Sequence, residues 1–223
     1  MPLPTGVKAL DAMLDGGLEE GIVTEVYGEG GSGKTSLALM VAVRAAEGGA
    51  KVHFIDTEGV SPARLRQIAG DGHKQMAKRI LFFHPNSMEE LDDHVARSIK
   101  LATKDKEVGL VVIDTIVVFY RQVIGTRDES SSRSLITNLV VRLHRLARGR
   151  EIPVLITNQV FFDPESGLME PLGGHGISHI AKTILRLDRI APGKRRIVLM
   201  KHRHRSEGGK VELALSDAGL EEA

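Results

Sequence analysis

Residues 28–36 of the chain read GEGGSGKTS. The first eight of them fit the pattern G-x-x-x-x-G-K-[ST], and they lie between a strand-like run and a segment of good helix formers. In such a loop the glycines let backbone N–H groups face phosphate oxygens, and the following helix directs the positive end of its dipole toward the same anion. The stretch therefore predicts a nucleotide phosphate site in an α/β fold.

Two residues of this loop have specific predicted roles. Lys34 should reach the β and γ phosphates of ATP, and Thr35 should hold Mg²⁺. A magnesium site also needs a carboxylate, and LVVID at 110–114 places Asp114 at the carboxyl end of an apolar strand. The alternative for the loop is a glycine-rich turn with an exposed lysine. We assign ATP binding to the whole stretch, namely Gly28, Glu29, Gly30, Gly31, Ser32, Gly33, Lys34, Thr35 and Ser36.

Polar side chains also follow two other apolar runs. FIDTEG at 54–59 contains Asp56 and Glu58, and we expect Glu58 to act as the base that orients water, with Asp56 as a turn or capping residue. LITNQV at 155–160 ends in Asn158 and Gln159, whose neutral amides can sense a phosphate through hydrogen bonds. The alternatives are an exposed loop acid for Glu58 and an ordinary polar strand end for the two amides.

The order of the apolar runs predicts the architecture. Strand-like runs at 22–28, 51–56, 79–84, 109–114 and 153–158 alternate with helical patterns, which predicts a mostly parallel central sheet with helices on both faces. Ligands of such sheets gather at the carboxyl ends of the strands. After residue 180, three short runs separated by APGK and RSEGG predict an antiparallel edge toward the C-terminus.

Composition sets broader limits. The chain has 223 residues and a formal net charge of +1. Its length favours a single domain that spans residues 1–223. The chain contains no cysteine, which excludes a disulfide framework. The near-neutral charge by itself favours no particular partner. The N-terminus lacks the apolar segment of a signal peptide, and no apolar run is long enough to span a membrane. We therefore expect a soluble, cytoplasmic protein.

Five motifs in order resemble the catalytic core of the RecA family of P-loop NTPases, and more closely the archaeal and eukaryotic recombinases within it. They occupy residues 5–36, 54–65, 110–121, 155–160 and 171–187, and only the first is general to NTPases. The resemblance implies ATP and Mg²⁺ as cofactors. It also implies catalytic roles for Lys34, Glu58 and Gln159, magnesium binding by Thr35 and Asp114, and an adenine contact for Arg64.

The resemblance also implies two DNA-binding loops. The first corresponds to residues 121–133, where Arg121, Arg127 and Arg133 could contact phosphates. The second corresponds to residues 160–174, where Phe161 and Phe162 could stack on the bases of single-stranded DNA. Acidic residues oppose DNA binding in both loops, among them Glu165 in the second. The alternative for the first loop is a solvated charged loop.

A basic segment near the C-terminus resembles one that reaches the neighbouring subunit in RecA-like filaments. Lys201 and Arg203 would be cations that act in trans on the nucleotide of the next subunit. The alternative is a solvated basic edge or a nucleic-acid patch that also contains Lys194, Arg195 and Arg196.

The RecA-like core begins by Thr5, so we expect no N-terminal DNA-binding domain and at most a weak homo-oligomer. This chain resembles family members with the same truncation. The resemblance implies an ATP-binding, DNA-binding accessory protein of DNA repair and recombination, with weak ATPase activity and no strand exchange. The partners implied for this chain are single-stranded or branched DNA and either the main recombinase or a junction-resolving enzyme. The alternatives are a true strand-exchange recombinase and a KaiC-like regulatory ATPase that binds protein partners.

Overall fold

A central sheet with helices packed on both faces forms the framework of the protein. The computed structural model describes residues 1–163 and 168–222. The helices are α1 (Lys8–Met13), α2 (Lys34–Glu47), α3 (Pro62–Ala69), α4 (His73–Ala77), α5 (Met88–Lys104), α6 (Val118–Arg121), α7 (Glu129–Arg150) and α8 (His175–Ile180). The strands are β1 (Val23–Tyr27), β2 (Lys51–Asp56), β3 (Ile80–Phe83), β4 (Val108–Asp114), β5 (Val154–Asn158), β6 (Val160–Asp163), β7 (Leu168–Pro171), β8 (Thr183–Ala191), β9 (Lys194–Lys201), β10 (Lys210–Ser216) and β11 (Gly219–Glu222).

The strands of the central sheet follow the order β11-β10-β9-β8-β1-β5-β4-β2-β3. The pairs from β8 to β3 are parallel, and the pairs from β8 to β11 are antiparallel. The predicted parallel sheet with an antiparallel C-terminal edge is therefore confirmed. The five predicted strands differ from the observed ones by no more than one residue at either end.

Strand β4 shows why its sequence is apolar without alternation. Leu110 and Val112 pack in the layer that contains α2, whereas Val111 and Ile113 pack in the layer that contains α5 and α7. All four side chains are fully buried. A strand with a helical layer on each face needs apolar residues at every position. The predicted helices on both faces are thus confirmed.

Three of the described strands were not predicted from the sequence. Strand β11 pairs with β10, and β6 and β7 form a separate antiparallel hairpin within the second predicted loop. Residues 164–167 of that loop, including Glu165, lie outside the described residues. Among the helices of the described part of the chain, none combines the length and apolar character that a membrane span requires.

Candidate nucleotide site and adjoining loops

The phosphate loop lies between β1 and α2, as its motif predicts. Gly31 and Gly33 have φ angles of 71° and 109°, which glycine adopts far more readily than other residues. At Gly28 a Cβ atom would lie 2.2 Å from the carbonyl oxygen of Leu187, so no side chain fits there. Glycine is thus required in this loop both for conformation and for close packing against β8.

Lys34 is the first residue of α2, and its side chain turns back into the loop. The ammonium Nζ donates to the carbonyl oxygens of Gly28 and Glu29, both at 2.8 Å. Burial lowers the pKa of Lys34, and the nearby carboxylates of Glu58 and Asp114 oppose that shift. The cation therefore lies inside the loop and close to the two acids that the sequence assigned to the same site.

Asp114 ends β4 and is 1% exposed. Thr157 donates a hydrogen bond to Oδ1, while Oδ2 is buried without a partner among the described residues. Burial raises the pKa of this carboxyl group, and the Thr157 hydrogen bond and the nearby Thr35 hydroxyl partly oppose the increase. An unpartnered carboxylate oxygen close to the Thr35 hydroxyl has the donor chemistry that Mg²⁺ requires. The residues present therefore fit a magnesium ion.

Asp56 and Glu58 have different environments beyond the end of β2. Asp56 is buried, and its carboxylate accepts backbone N–H groups of Gly59 at 2.8 Å and Val60 at 2.6 Å. It therefore shapes the turn, as predicted. Glu58 follows in this turn with an exposed side chain. This leaves Glu58 as the carboxylate able to contact a water molecule.

Gln159 joins the site to the first predicted DNA-binding loop. Its amide Nε2 donates to Oε1 of Glu58, and its Oε1 accepts a hydrogen bond of 3.0 Å from Arg121. Asn158, the neighbouring amide, is instead fully buried. Its Nδ2 donates to Glu25 at 2.7 Å and to the carbonyl of Leu172, a residue of the second loop, at 2.9 Å. Of the two amides, only Gln159 lies among the catalytic candidates.

The buried acid Glu25 was not predicted from the sequence to be a functional residue. It is fully buried in β1, and burial raises its pKa to about 7 despite the Asn158 hydrogen bond and the charge of Lys201. The signal available was a single acidic residue in the middle of the strand-like run IVTEVYG. Such a residue is rarely buried without a specific partner.

Arg64 connects the start of α2 with the turn between β10 and β11. The guanidinium donates to Ser36 Oγ at 3.1 Å and to the carbonyls of Ser216 at 3.0 Å and Asp217 at 2.9 Å. This arrangement places Arg64 beside the phosphate loop, where an adenine contact was predicted. The adenine contact itself stays a prediction.

The first predicted DNA-binding loop, residues 121–133, is partly helical. Arg121 ends α6 and α7 already begins at Glu129, so residues 129–133 lie in the first turns of α7, and DNA binding by this segment stays a prediction. Glu129 stabilises this early helix start, because its carboxylate accepts hydrogen bonds from the Gly125 backbone, the Tyr120 hydroxyl and Arg133. The irregular part of the loop is therefore residues 122–128.

The three arginines assigned to DNA have different surroundings. Arg133 pairs with Glu129 and donates to the Tyr120 hydroxyl at 3.1 Å, so it helps to fold the loop. Arg121 holds Gln159. Arg127 is exposed and forms no ion pair with any residue that the structure describes. A DNA phosphate would thus meet Arg127 directly, but it would compete with existing contacts for the other two.

Exposed apolar side chains gather at the two loops. Ile124 of the first loop is 45% exposed, and Phe161 and Phe162 of the second are 43% and 61% exposed. A cavity of about 260 Å³ lies between the loops and is lined by Tyr120, Ile124 and Phe161 among others. Exposed aromatic rings of this kind can stack on unpaired bases.

The two predicted trans-acting cations make contacts within their own chain. Lys201 Nζ donates to the carbonyls of Ser178 and Ala181, both at 2.8 Å, and Arg203 pairs with Glu19 at 3.0 Å. A role in a neighbouring subunit would require both side chains to exchange these contacts. Their action in trans stays a prediction.

The fold and site define a P-loop protein of the Rad51 family. Residues 1–223 match that family, and the chain belongs to it. It is 40% identical to the DNA repair and recombination protein RadB of Methanococcoides burtonii over 219 residues, which cover 98% of this chain and 96% of the relative. It is 37% identical to RadB of Archaeoglobus fulgidus over 222 residues, which cover 99% and 98%.

A solved structure agrees with these relatives. The crystal structure of the RadB recombinase matches with a TM-score of 0.84 and 35% identity, and the match covers 99% of each chain. The predicted likeness to the recombinases is therefore confirmed at the level of family and fold.

Proposed function

We propose that this chain is an ATP-binding, DNA-binding accessory protein of DNA repair and homologous recombination. It hydrolyses ATP slowly and does not exchange strands. Its DNA ligand is single-stranded or branched, and its protein partner is the main recombinase or a junction-resolving enzyme. The names of its relatives support the recombination role, since the RadB proteins it resembles are described as DNA repair and recombination proteins.

The observation that carries this proposal is the position of Gln159. One end of its amide contacts the candidate base Glu58, and the other end contacts Arg121 of the first loop. The next residue, Val160, begins the hairpin of the second loop. A change at the γ-phosphate that moves Gln159 would therefore move groups of both loops. Binding or loss of the nucleotide would thus change the position of residues in both candidate DNA-binding loops.

The nucleotide part of the proposal assigns a task to each side chain. Lys34 would exchange its two carbonyl contacts for phosphate oxygens, and the loop N–H groups would add hydrogen bonds to the same anion. Asp114 Oδ2 and the Thr35 hydroxyl would hold Mg²⁺, which supplies positive charge to the phosphates. Glu58 would orient and deprotonate the attacking water.

Slow hydrolysis is proposed because Oε1 of Glu58 is already hydrogen-bonded. A base must offer a free carboxylate oxygen to water, and the Gln159 amide occupies one of the two. Gln159 is itself held by Arg121, so Oε1 of Glu58 becomes available to water only when this chain of hydrogen bonds rearranges. We infer that ATP acts here mainly as a conformational ligand.

The DNA part rests on the surface of the two loops. Exposed Phe161 and Phe162 offer stacking area, and Arg127 offers a charge that no described carboxylate neutralises. Stacking favours unpaired bases over duplex, which agrees with single-stranded or branched DNA. Acidic Glu170 beside them weakens contact with phosphates, so moderate and salt-sensitive affinity is expected.

The test is ATP hydrolysis measured with and without single-stranded DNA and with and without the main recombinase, over a range of protein concentrations. A slow rate that changes little with protein concentration supports the accessory role. A fast rate that DNA strongly stimulates, together with strand exchange, would establish a true recombinase instead.

DNA binding is tested separately by gel shift across a range of salt concentrations. Binding that falls steeply with added salt supports phosphate contacts. Absence of binding even at low salt would remove the DNA-binding proposal and leave a KaiC-like regulatory ATPase that acts through protein partners.

A further inference from the structure

Arg195 of β9 is a buried cation that contacts the phosphate loop. It is 6% exposed, and its Nη2 donates to the carbonyl oxygen of Gly31 at 3.0 Å. Its Nη1 donates to the carbonyls of Lys194 at 3.0 Å and Ala191 at 3.5 Å, so the same guanidinium contacts both ends of the turn between β8 and β9. Through Arg195 the antiparallel edge of the sheet is connected to the loop that the sequence assigns to ATP.

The charge of Arg195 lacks a protein counter-ion in the described part of the chain. No carboxylate of residues 1–163 or 168–222 forms an ion pair with it, and its Nε is buried without a hydrogen-bond partner. Burial lowers its pKa, and the nearby Arg189 lowers it further. A buried charge in this condition reduces stability unless an anion compensates it. In the proposed function the phosphate chain of the nucleotide brings an anion to the loop that Arg195 contacts.

The contact with Gly31 also sets the direction of a loop N–H group. In a planar trans peptide the C=O and N–H bonds point to opposite sides. Arg195 donates to the Gly31 carbonyl, and on the opposite side of the same peptide the N–H of Ser32 donates to the Glu29 carbonyl at 3.2 Å. Lys34 Nζ donates to that same carbonyl at 2.8 Å. Two donors therefore converge on one point inside the loop.

We propose that Arg195 is a second cation of the phosphate site and a positioning residue for the phosphate loop. It fixes the orientation of the Gly31–Ser32 peptide, whose N–H would exchange the Glu29 carbonyl for a phosphate oxygen, and the phosphate charge compensates the charge of Arg195. The inference rests on the proposed ATP site. A lysine could supply the charge but not the fork of donors that contacts Gly31 and Lys194 together.

The test compares Arg195→Met with Arg196→Met in calorimetric titrations with ADP and with ATP. Arg196 is the adjacent residue of β9 and pairs with Glu212 on the surface at 2.7 Å, so it is a matched control. We expect Arg195→Met to weaken ADP and ATP by a similar factor, about tenfold or more, because a hydrogen-bonded charge next to the loop is lost. Arg196→Met should bind both nucleotides like the wild type.

Thermal unfolding separates this role from a purely structural one. An uncompensated cation predicts that Arg195→Met without nucleotide melts no lower than the wild type, while the increase in Tm caused by ADP becomes smaller. A lower Tm without nucleotide together with an unchanged ADP-induced increase would overturn the proposal, as would unchanged affinity. Should Arg195→Met fail to fold, Arg195→Lys decides. A reduced ADP-induced increase supports the proposal, and a full one overturns it.

The outcome is distinguishable from failure of the proposed function itself. If the wild type binds neither ADP nor ATP, the nucleotide site is refuted whatever Arg195 does. If the wild type binds and Arg195→Met binds equally well, only the role of Arg195 is refuted.

Discussion

The amide of Gln159 donates a hydrogen bond to the carboxylate of Glu58. These residues follow β5 and β2, which are separated in the sheet by β4, the strand that ends in Asp114. The hydrogen bond therefore passes over the carboxyl end of β4, where Asp114 is the candidate magnesium ligand. A candidate switch residue and a candidate base are joined directly at the place where the γ-phosphate of ATP is expected.

Glu58→Gln should leave ATP binding intact and lower its hydrolysis. An amide can still hydrogen-bond to Gln159, but it cannot accept the proton of the attacking water. Loss of a general base typically lowers turnover by about 10² to 10⁴-fold. Single-turnover hydrolysis and nucleotide titrations would check this expectation. Turnover equal to that of the wild type would remove Glu58 from the mechanism.

Lys34→Ala should abolish most ATP affinity without unfolding the protein. Hydrogen bonds to a charged group contribute about 1.5–3 kcal/mol, which corresponds to a loss of roughly 10- to 100-fold in affinity. Stability should change little, because burial already disfavours the charged Lys34, as its lowered pKa indicates. Nucleotide titration and thermal unfolding measure the two effects. Unchanged nucleotide affinity would show that this loop is not the site.

Arg121→Ala should raise ATP hydrolysis in the absence of DNA. Arg121 holds the Gln159 oxygen at 3.0 Å, and its removal frees the amide that occupies Glu58. An increase of about 5- to 10-fold is expected for the loss of one solvent-exposed hydrogen bond of about 1–1.4 kcal/mol. Arg145→Ala is the control, since Arg145 is an exposed residue in the second half of α7. Equal basal rates in wild type and Arg121→Ala would contradict the restraint on Gln159.

The sequence predicted the strands and the polar residues at their ends because both depend on local pattern. Apolar runs of β-branched residues locate strands, and parallel strands bring their carboxyl ends to one edge of the sheet. This pattern placed Lys34, Glu58 and Asp114 in one site. In the structure the carboxylates of Glu58 and Asp114 lie near enough to Lys34 to raise its pKa against the effect of burial, which agrees with that placement.

Pairings between distant segments could not be predicted in the same way. Gln159 and Glu58 are 101 residues apart, and Arg195 and Gly31 are 164 residues apart, so no spacing rule connects them. The start of α7 at Glu129 was not predicted for a related reason, because the family resemblance assigned residues 121–133 to a loop. The Glu129 carboxylate instead accepts a backbone N–H across the turn and pairs with an arginine one helical turn further on, and these contacts begin the helix.

Glu25 makes the stability of the protein depend on pH in a defined direction. Its pKa is about 7 in the folded protein and 4.5 as a model value, so the folded state keeps a proton that the unfolded state loses. Stability contributed by this group is therefore complete below pH 4.5 and is lost as the pH rises toward 7. The shift corresponds to about 3 kcal/mol.

Glu25→Gln should remove that dependence, because an amide stays neutral at every pH and can still accept the hydrogen bond from Asn158. Urea unfolding of both proteins between pH 4.5 and about pH 8 measures the difference. We expect the variant to gain stability relative to the wild type as the pH increases, up to about 3 kcal/mol. Glu212→Gln on the surface of β10 is the control and should follow the wild type. A constant difference between Glu25→Gln and the wild type across this range would show that Glu25 is ionised to the same extent in the folded and unfolded states.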